Sequence, residues 1–441
     1  MKNKLIYIIF LFFLIPIHGT NREPIFIDNV FIHGIDVSGL NRVEAERKIK
    51  PYLKKVFDQK VIIQHPEQKE IWITTYKEMG IGVNLEKALN EGLTLGNQGV
   101  IFKRWWERLK IKKDGFYVPL ELEIREDLAI FEIERLTAEI LQKPQNAKFK
   151  ITSQNIVIIE PDISGVGIEV EKMISELKGN LKLQGPLSIK VVTKEIKADT
   201  TEEDLKKLNV HTLIGQFTTW FNPQQKSRSA NIKLAAQALN DYLLAPKEEF
   251  SFNKIVGPRT KEAGYNDAPI ILNKQFVDGL GGGVCQVSST LYNVLIRSNL
   301  LIVERHPHSL PVGYVPKGMD AAVVYGLKDL RFMNNTKGHI LFKTYVGQGS
   351  ITIKLFGSKE EMQNIEVVSI VEKIFTPKII IKNKEELAKG QVTVEQHGEE
   401  GYLVRVERII KDMEENILVH EMLSRDYYPP VDKIILQATN Y

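Results

Sequence analysis

Cys285 is the residue whose type and setting point most directly to covalent chemistry. It is the only cysteine of the sequence. It follows the run Gly279-Leu280-Gly281-Gly282-Gly283-Val284 and precedes Gln286-Val287-Ser288-Ser289. Val287, Leu291, Val294 and Leu295 recur at helical spacing, so the cysteine is predicted where a glycine loop enters a helix. A thiol there feels the positive end of the helix dipole and unpaired N–H groups, which lower its pKa. The same N–H groups can hold an oxyanion. Gly281, Gly282 and Gly283 are free to take positive φ and to approach a ligand closely. Gln286 is a candidate further donor. Ser288 and Ser289 are candidate caps of the first turn.

A thiolate nucleophile needs a base. His306 and His308 lie in the stretch RHPHSLPVGY, two residues apart. In a strand they would share one face, whereas Pro307 and Pro311 predict an extended, irregular segment. Either ring is a candidate partner of Cys285, and Asp320 is a candidate to orient it. Tyr314 ends the stretch and joins Gly281, Gly282, Gly283, Gln286, Ser288 and Ser289 as the candidate substrate-binding set. Two blander readings compete: Cys285 as a small packed hydrophobe, and a Cys–His–His metal site without an evident fourth ligand. No metal and no cofactor is expected. The remaining histidines are scattered and read as surface or core residues. Trp105 and Trp106, in FKRWWERLKIKK, read as local packing of an amphipathic segment in preference to contact with a membrane or glycan.

These residues need a scaffold, and 441 residues imply two to four domains. Hydrophobic residues make up 43% and charged residues 26%, the balance of a globular chain. With 59 basic and 55 acidic residues the net charge is +4, without the concentrated basic stripe of a nucleic-acid binder. One cysteine excludes an internal disulfide and a multi-cysteine metal cluster. At the N-terminus, Lys2 and Lys4 precede an apolar run over 5–17, short of the about 20 residues that span a bilayer. Residues 1–20 therefore read as a signal peptide or N-terminal membrane anchor, placing the rest outside the cytoplasm.

The expected architecture is multidomain α+β. Strand, helix and hairpin patterns over 25–115 recur over 118–197, giving two related α+β modules. In the first, Ser38 is predicted to cap the helix over NRVEAERKIKPYLKKVF, which tolerates Pro51 only with a kink or break. Residues 197–209 form a linker or short helix. The central α+β domain, 211–357, holds the Gly-loop/helix and a β-meander from DLRFMNN to KLFG. Residues 360–441 form a small all-β module.

The motifs of the central region carry a resemblance. IGQFTTWFN, SANIKLAAQALND, FSFNKIVGPRTKEAGYNDAPII, GGGVCQVSSTLYN, IVERHPHSLPVGYVPKGMDAAV and LRFMNNT resemble, in order, the blocks of the VanW family. Residues 25–197 look like the paired peptidoglycan-binding modules that often precede VanW domains, through GIDVSGL and the stretch at 96–99. GQVTVEQHGEEGYLVRVERII resembles a wall-associated β module found after them. The family is linked by name to vancomycin-resistance clusters, and some members are described as L,D-transpeptidases with the cysteine of the GGGxCQ block as nucleophile. The resemblance thus implies Cys285 as nucleophile, His308 in preference to His306 as base, and peptidoglycan stem peptides as substrate. A non-catalytic wall-binding or scaffold protein and a cysteine amidase are the competing expectations.

Overall fold

A computed structural model describes residues 23–272, 275–388, 390–412 and 414–438. The expected export segment over 1–20 lies outside them. No described helix is long and apolar enough to cross a membrane. The described residues divide into two compact units, one of 23–145 with 164–197 and one of 146–163 with those from 198 onward.

In the first unit, the helix Arg42–Phe57 starts at Asn41, whose side chain accepts from the Glu44 amide while Glu44 caps Asn41 in return. Ser38 is not the cap: its hydroxyl donates to Asp36 and accepts from the Asn29 amide. The helix runs unbroken through Pro51. Strands Lys60–Gln64 and Ile71–Thr75 form the expected hairpin. The two sequence modules are not separate in space. Leu187–Lys190, from the second, pairs in parallel with Lys60–Gln64 of the first, and Ile81–Val83 pairs with Leu122–Ile124. Val61, Ile63, Ile133, Met173, Leu177 and Ile189 consequently share one core. Local periodicity reads the elements but not this exchange, because strand partners are chosen by apolar faces far apart in the chain. The helix Ile101–Asp114 buries only Ile111. Trp105 and Trp106 are 57% and 60% exposed, and the local packing there is a surface contact of Trp105 with the Phe102 ring at 6.3 Å.

In the second unit, an antiparallel sheet orders Thr212–Trp220, Ser350–Gly357, Ile340–Val346 and Leu243–Leu244. The helices Lys226–Leu239 and Val284–Arg297 pack against it around Ile232, Leu239, Leu291, Leu295, Phe342 and Ile353. A second sheet joins Glu249–Ser251, Arg331–Met333 and Leu301–Glu304. The expected meander is therefore split. Ile340–Val346 and Ser350–Gly357 are a hairpin of the first sheet, while Arg331–Met333 belongs to the second. Phe332 stacks on Phe250 at 4.8 Å, and this aromatic contact accompanies the pairing of its strand with Glu249–Ser251. Beyond residue 360 every regular element of more than one turn is a strand. The two sheets there are Asn364–Phe375 with Gly401–Lys411 and Ile417–Tyr428, and Ile379–Lys384 with Lys433–Ala438 and Val392–Gln396.

Candidate functional site

Twelve of the fourteen residues of the helix Val284–Arg297 are buried, so its polar side chains must find partners inside the protein. The helix is entered through Gly283 at φ 106, with Gly281 at φ 79, conformations that L side chains rarely adopt. Gly282 is required for a different reason. A Cβ there would lie 2.5 Å from the Ala268 carbonyl oxygen. That space is filled by the protein's own backbone, and Asn231 Nδ2 donates to the Gly282 carbonyl at 3.0 Å to hold it.

Cys285 sits in the first turn and keeps part of its surface accessible. Its Sγ lies 3.5 Å from the Val323 carbonyl oxygen. Burial pushes the thiol up, but hydrogen bonding to His308, the His308 charge, the Val323 backbone and Arg259 outweigh it, and the pKa is lowered. Burial likewise pushes His308 down, yet its hydrogen bonds to Asp320 and Cys285 and their charges leave it pushed up to about 9. His308 Nδ1 lies 2.6 Å from Asp320 Oδ2. With Nδ1 so engaged, Nε2 is the nitrogen left to serve the thiol.

Asp320 is 1% exposed. Its Oδ2 accepts from the His308 amide and ring, both at 2.6 Å. Its Oδ1 accepts from Arg305 Nη2 at 3.2 Å and from the Tyr428 hydroxyl. Burial raises its pKa, and His308, Arg305 and Tyr428 more than reverse that, holding it below the usual carboxylate value. Arg305 also reaches Asp426 at 2.6 Å and the Asp320 carbonyl oxygen at 2.6 Å.

Of the residues singled out in the sequence, Cys285, His308 and Asp320 are thus brought into one chain of contacts. His306 is not: its Nε2 pairs with Glu304 at 2.9 Å and its side chain is 38% exposed. The strand ends at Glu304, so the two-residue spacing does not put both rings on one face. Gln286 does not present a donor. Its Nε2 is taken by Thr219 Oγ1 and the Trp220 carbonyl, and its Oε1 by Arg228. Ser288 and Ser289 do not cap the helix. They donate back to the Cys285 carbonyl and to that of Ala321, and the Ala321 amide donates to Ser289, stapling the Asp320 segment to the cysteine helix. Tyr314 is close enough for the Cys285 charge to act on its phenol. Burial, then Cys285, raises its pKa well above the ordinary value despite hydrogen bonding to Ser289.

Sequence reasoning missed Arg305, Asp426, Tyr428, Arg228 and Arg259. Arg305 stands next to His306 in a stretch already singled out. Nothing local marks Asp426 or Tyr428, which lie over a hundred residues away. Among the described residues no group of three His, Cys, Asp or Glu is placed to hold a metal.

A thiol beside an imidazole that is itself held by a buried carboxylate is an arrangement that can activate the thiol as a nucleophile. The comparisons give the family. The family model "VanW like protein" matches residues 227–356, and "Putative peptidoglycan binding domain" matches 72–190 once, from within the first expected module to near the end of the second. The uncharacterized protein YoaR of Bacillus subtilis is 36% identical over 250 residues, which cover 56% of this chain and 81% of YoaR. The vancomycin B-type resistance protein VanW of Enterococcus faecalis is 35% identical over 117 residues, 25% of this chain and 42% of that protein. This chain belongs to the VanW-like family and carries a peptidoglycan-binding region, which together mark a cell-wall-related role. The IgA1 protease G5 domain structure aligns with 18% of this chain and 90% of its own at 22% identity and a TM-score of 0.15, too low to carry an argument.

Proposed function

We propose that this protein acts outside the cytoplasm on peptidoglycan, as a cysteine acyltransferase of L,D-transpeptidase type with stem peptides as substrate. The observation that carries the reading is the series Cys285, His308, Asp320: Asp320 Oδ2 holds His308 Nδ1 at 2.6 Å, Asp320 and Cys285 raise the imidazole, and His308 lowers the thiol. In this reading the resting site is a thiolate–imidazolium pair. The thiolate attacks the amide carbonyl after the third stem residue, forming a C–S bond. Collapse of the tetrahedral adduct breaks the C–N bond, and His308 gives its proton to the leaving amine. The thioester is then attacked by a side-chain amine of a second stem. That amine loses its proton to His308, the C–S bond breaks and the thiolate returns. Water in place of the amine gives hydrolysis. The Val284 and Gln286 amides already donate to the Gly281 and Gly283 carbonyls. The Cys285 amide is our choice for the oxyanion, with the Tyr314 phenol as a second donor.

The peptidoglycan-binding region would hold the wall, and the apolar N-terminal segment would export the chain or tether it to the membrane. The Enterococcus relative's name extends the reading to glycopeptide resistance. The test compares muropeptides from cells carrying the wild type and Cys285→Ala, with purified protein and defined stem peptides in parallel. Loss of cross-linked product by about 10³-fold or more is expected. Unchanged muropeptides with wall binding retained would leave a non-catalytic wall-binding or scaffold protein.

A further inference from the structure

Two arginines pack against the glycine loop. A Cβ on Gly281 would lie 2.8 Å from Arg259 Cγ, and one on Gly283 would lie 3.0 Å from Arg228 Cγ. Both side chains therefore run directly against the loop that carries Cys285. Both are half-buried. Neither is in an ion pair among the described residues. Arg228 Nη2 donates to Gln286 Oε1 at 2.7 Å, an uncharged acceptor that Thr219 and Trp220 hold in place. Arg259 Nη1 donates to the Gly257 carbonyl at 2.8 Å, and its Nη2 is buried with no hydrogen-bond partner. The guanidinium is steadied over the rings of Phe252 and Tyr325, at 5.6 and 5.9 Å. Asp329, whose charge also acts on it, is already engaged by Ser251 and by the Asn253 and Leu330 amides.

The charges on the other side of the sulfur are balanced. His308 and Arg305 face Asp320, and Arg305 also faces Asp426. Even with Cys285 as thiolate, the two guanidinium groups share that one anion and the charge of Asp329, which is in an ion pair with neither. A buried arginine without an anion is costly, because desolvation is not offset by a partner. Burial does hold both guanidinium groups below their ordinary pKa, with Tyr314 and Cys285 partly restoring Arg228, and Tyr265 and Cys285 partly restoring Arg259.

We propose that Arg228 and Arg259 form an anion subsite beside Cys285 that takes a carboxylate of the donor peptide, next to the amide that the sulfur attacks. The proposal rests on the acyl-transfer reading for its substrate, but not for its charge. A planar guanidinium fork suits a carboxylate, and here Arg259 Nη2 lacks an acceptor while Arg228 meets only a neutral amide. The subsite fixes which backbone carbonyl meets the sulfur, so it is a specificity device and takes no part in proton transfer.

The test alkylates Cys285 of the full-length protein with iodoacetate, an anion, and with iodoacetamide, its neutral counterpart. The ratio of the two rates cancels any change in thiolate fraction. In the wild type the ratio is expected to exceed that of the Arg228→Gln/Arg259→Gln protein by about tenfold, the lower end of electrostatic focusing in a cleft. A stem peptide with free carboxylates is expected to bind the Cys285→Ala protein more tightly than the fully amidated peptide, and to lose that preference when the arginines are replaced. Equal ratios in wild type and variants, or equal binding of the two peptides, would overturn the subsite. A lowered ratio and lost preference, together with muropeptides indifferent to Cys285→Ala, would keep the subsite and overturn acyl transfer.

Discussion

The two sides of Cys285 are built on opposite principles. On the side of Asp320, every oxygen of the carboxylate is matched: four hydrogen bonds from three residues, with Arg305 closed off in turn by Asp426. On the side of the glycine loop, Arg259 keeps a buried nitrogen without a partner and Arg228 meets only a neutral amide. The satisfied side behaves as a rigid mount, since a buried polar network with every member bonded specifies one arrangement. The unsatisfied side has the charge surplus of a place where something else binds. Rigidity and receptivity are thus separated across one sulfur atom, and the mount draws on the C-terminal strands, which supply Tyr428 and Asp426.

Breaking the mount at its centre should have the largest effect. Asp320→Ala leaves Arg305 with half its anions and removes the acceptor of the His308 ring and amide. Breaking such a buried network is expected to lower unfolding stability by about 3–5 kcal/mol, read by chemical denaturation. A loss under about 1 kcal/mol would mean that the mount is not rigid.

A milder cut tests the reach of the C-terminal strands. The Tyr428 hydroxyl donates to Asp320 and accepts from the Gly318 amide at 2.9 Å. Tyr428→Phe leaves that buried amide unpaired, so a loss of about 1–3 kcal/mol is expected. The labelling rate of Cys285 should fall as well, since Asp320 loses one of the bonds that hold it anionic. A change confined to stability would limit the C-terminal strands to a structural part.

The smallest effect separates the two histidines. His306→Ala removes a half-exposed ring paired with Glu304 and should leave both Cys285 labelling and stability nearly unchanged, within about 0.5 kcal/mol. His308→Ala should instead move the pH inflection of labelling upward, because burial still raises the thiol while the group that lowered it is gone. The wild type's stability should follow the same pair. His308 is raised from an ordinary 6.5 to about 9, so its contribution is complete below about 6.5 and lost as pH rises through about 9. Asp320 is lowered from 3.8, so its contribution is complete above 3.8 and fades as pH falls through its lower folded value. The imidazolium–carboxylate pair is therefore strongest between about 4 and 6.5, while the lowered Cys285 runs the other way, its contribution complete above 9.0 and fading as pH falls through its folded value, so that it offsets part of the alkaline loss. His308→Ala should remove both alkaline contributions and also shrink the acid limb, because His308 is the foremost group lowering Asp320.

Residue types and short spacings were enough to find Cys285 at the start of a helix, a histidine pair, Asp320, the hairpin over 60–75 and the strand-rich tail. They carry information because helical and strand periodicity, and the φ demanded of Gly281 and Gly283, are properties of adjacent residues. What only the tertiary structure decided is which groups meet. His308 and not His306 is hydrogen-bonded to the sulfur, since the strand stops at Glu304 and His306 turns to pair with Glu304. Gln286, Ser288 and Ser289 turn inward because their helix is buried nearly all round. Arg305 and Tyr428 converge on Asp320 from 15 and 108 residues away, and Asp426 closes off Arg305 from 121. Strand pairing and charge balance are settled between distant segments, and no local pattern records the partner that completes them.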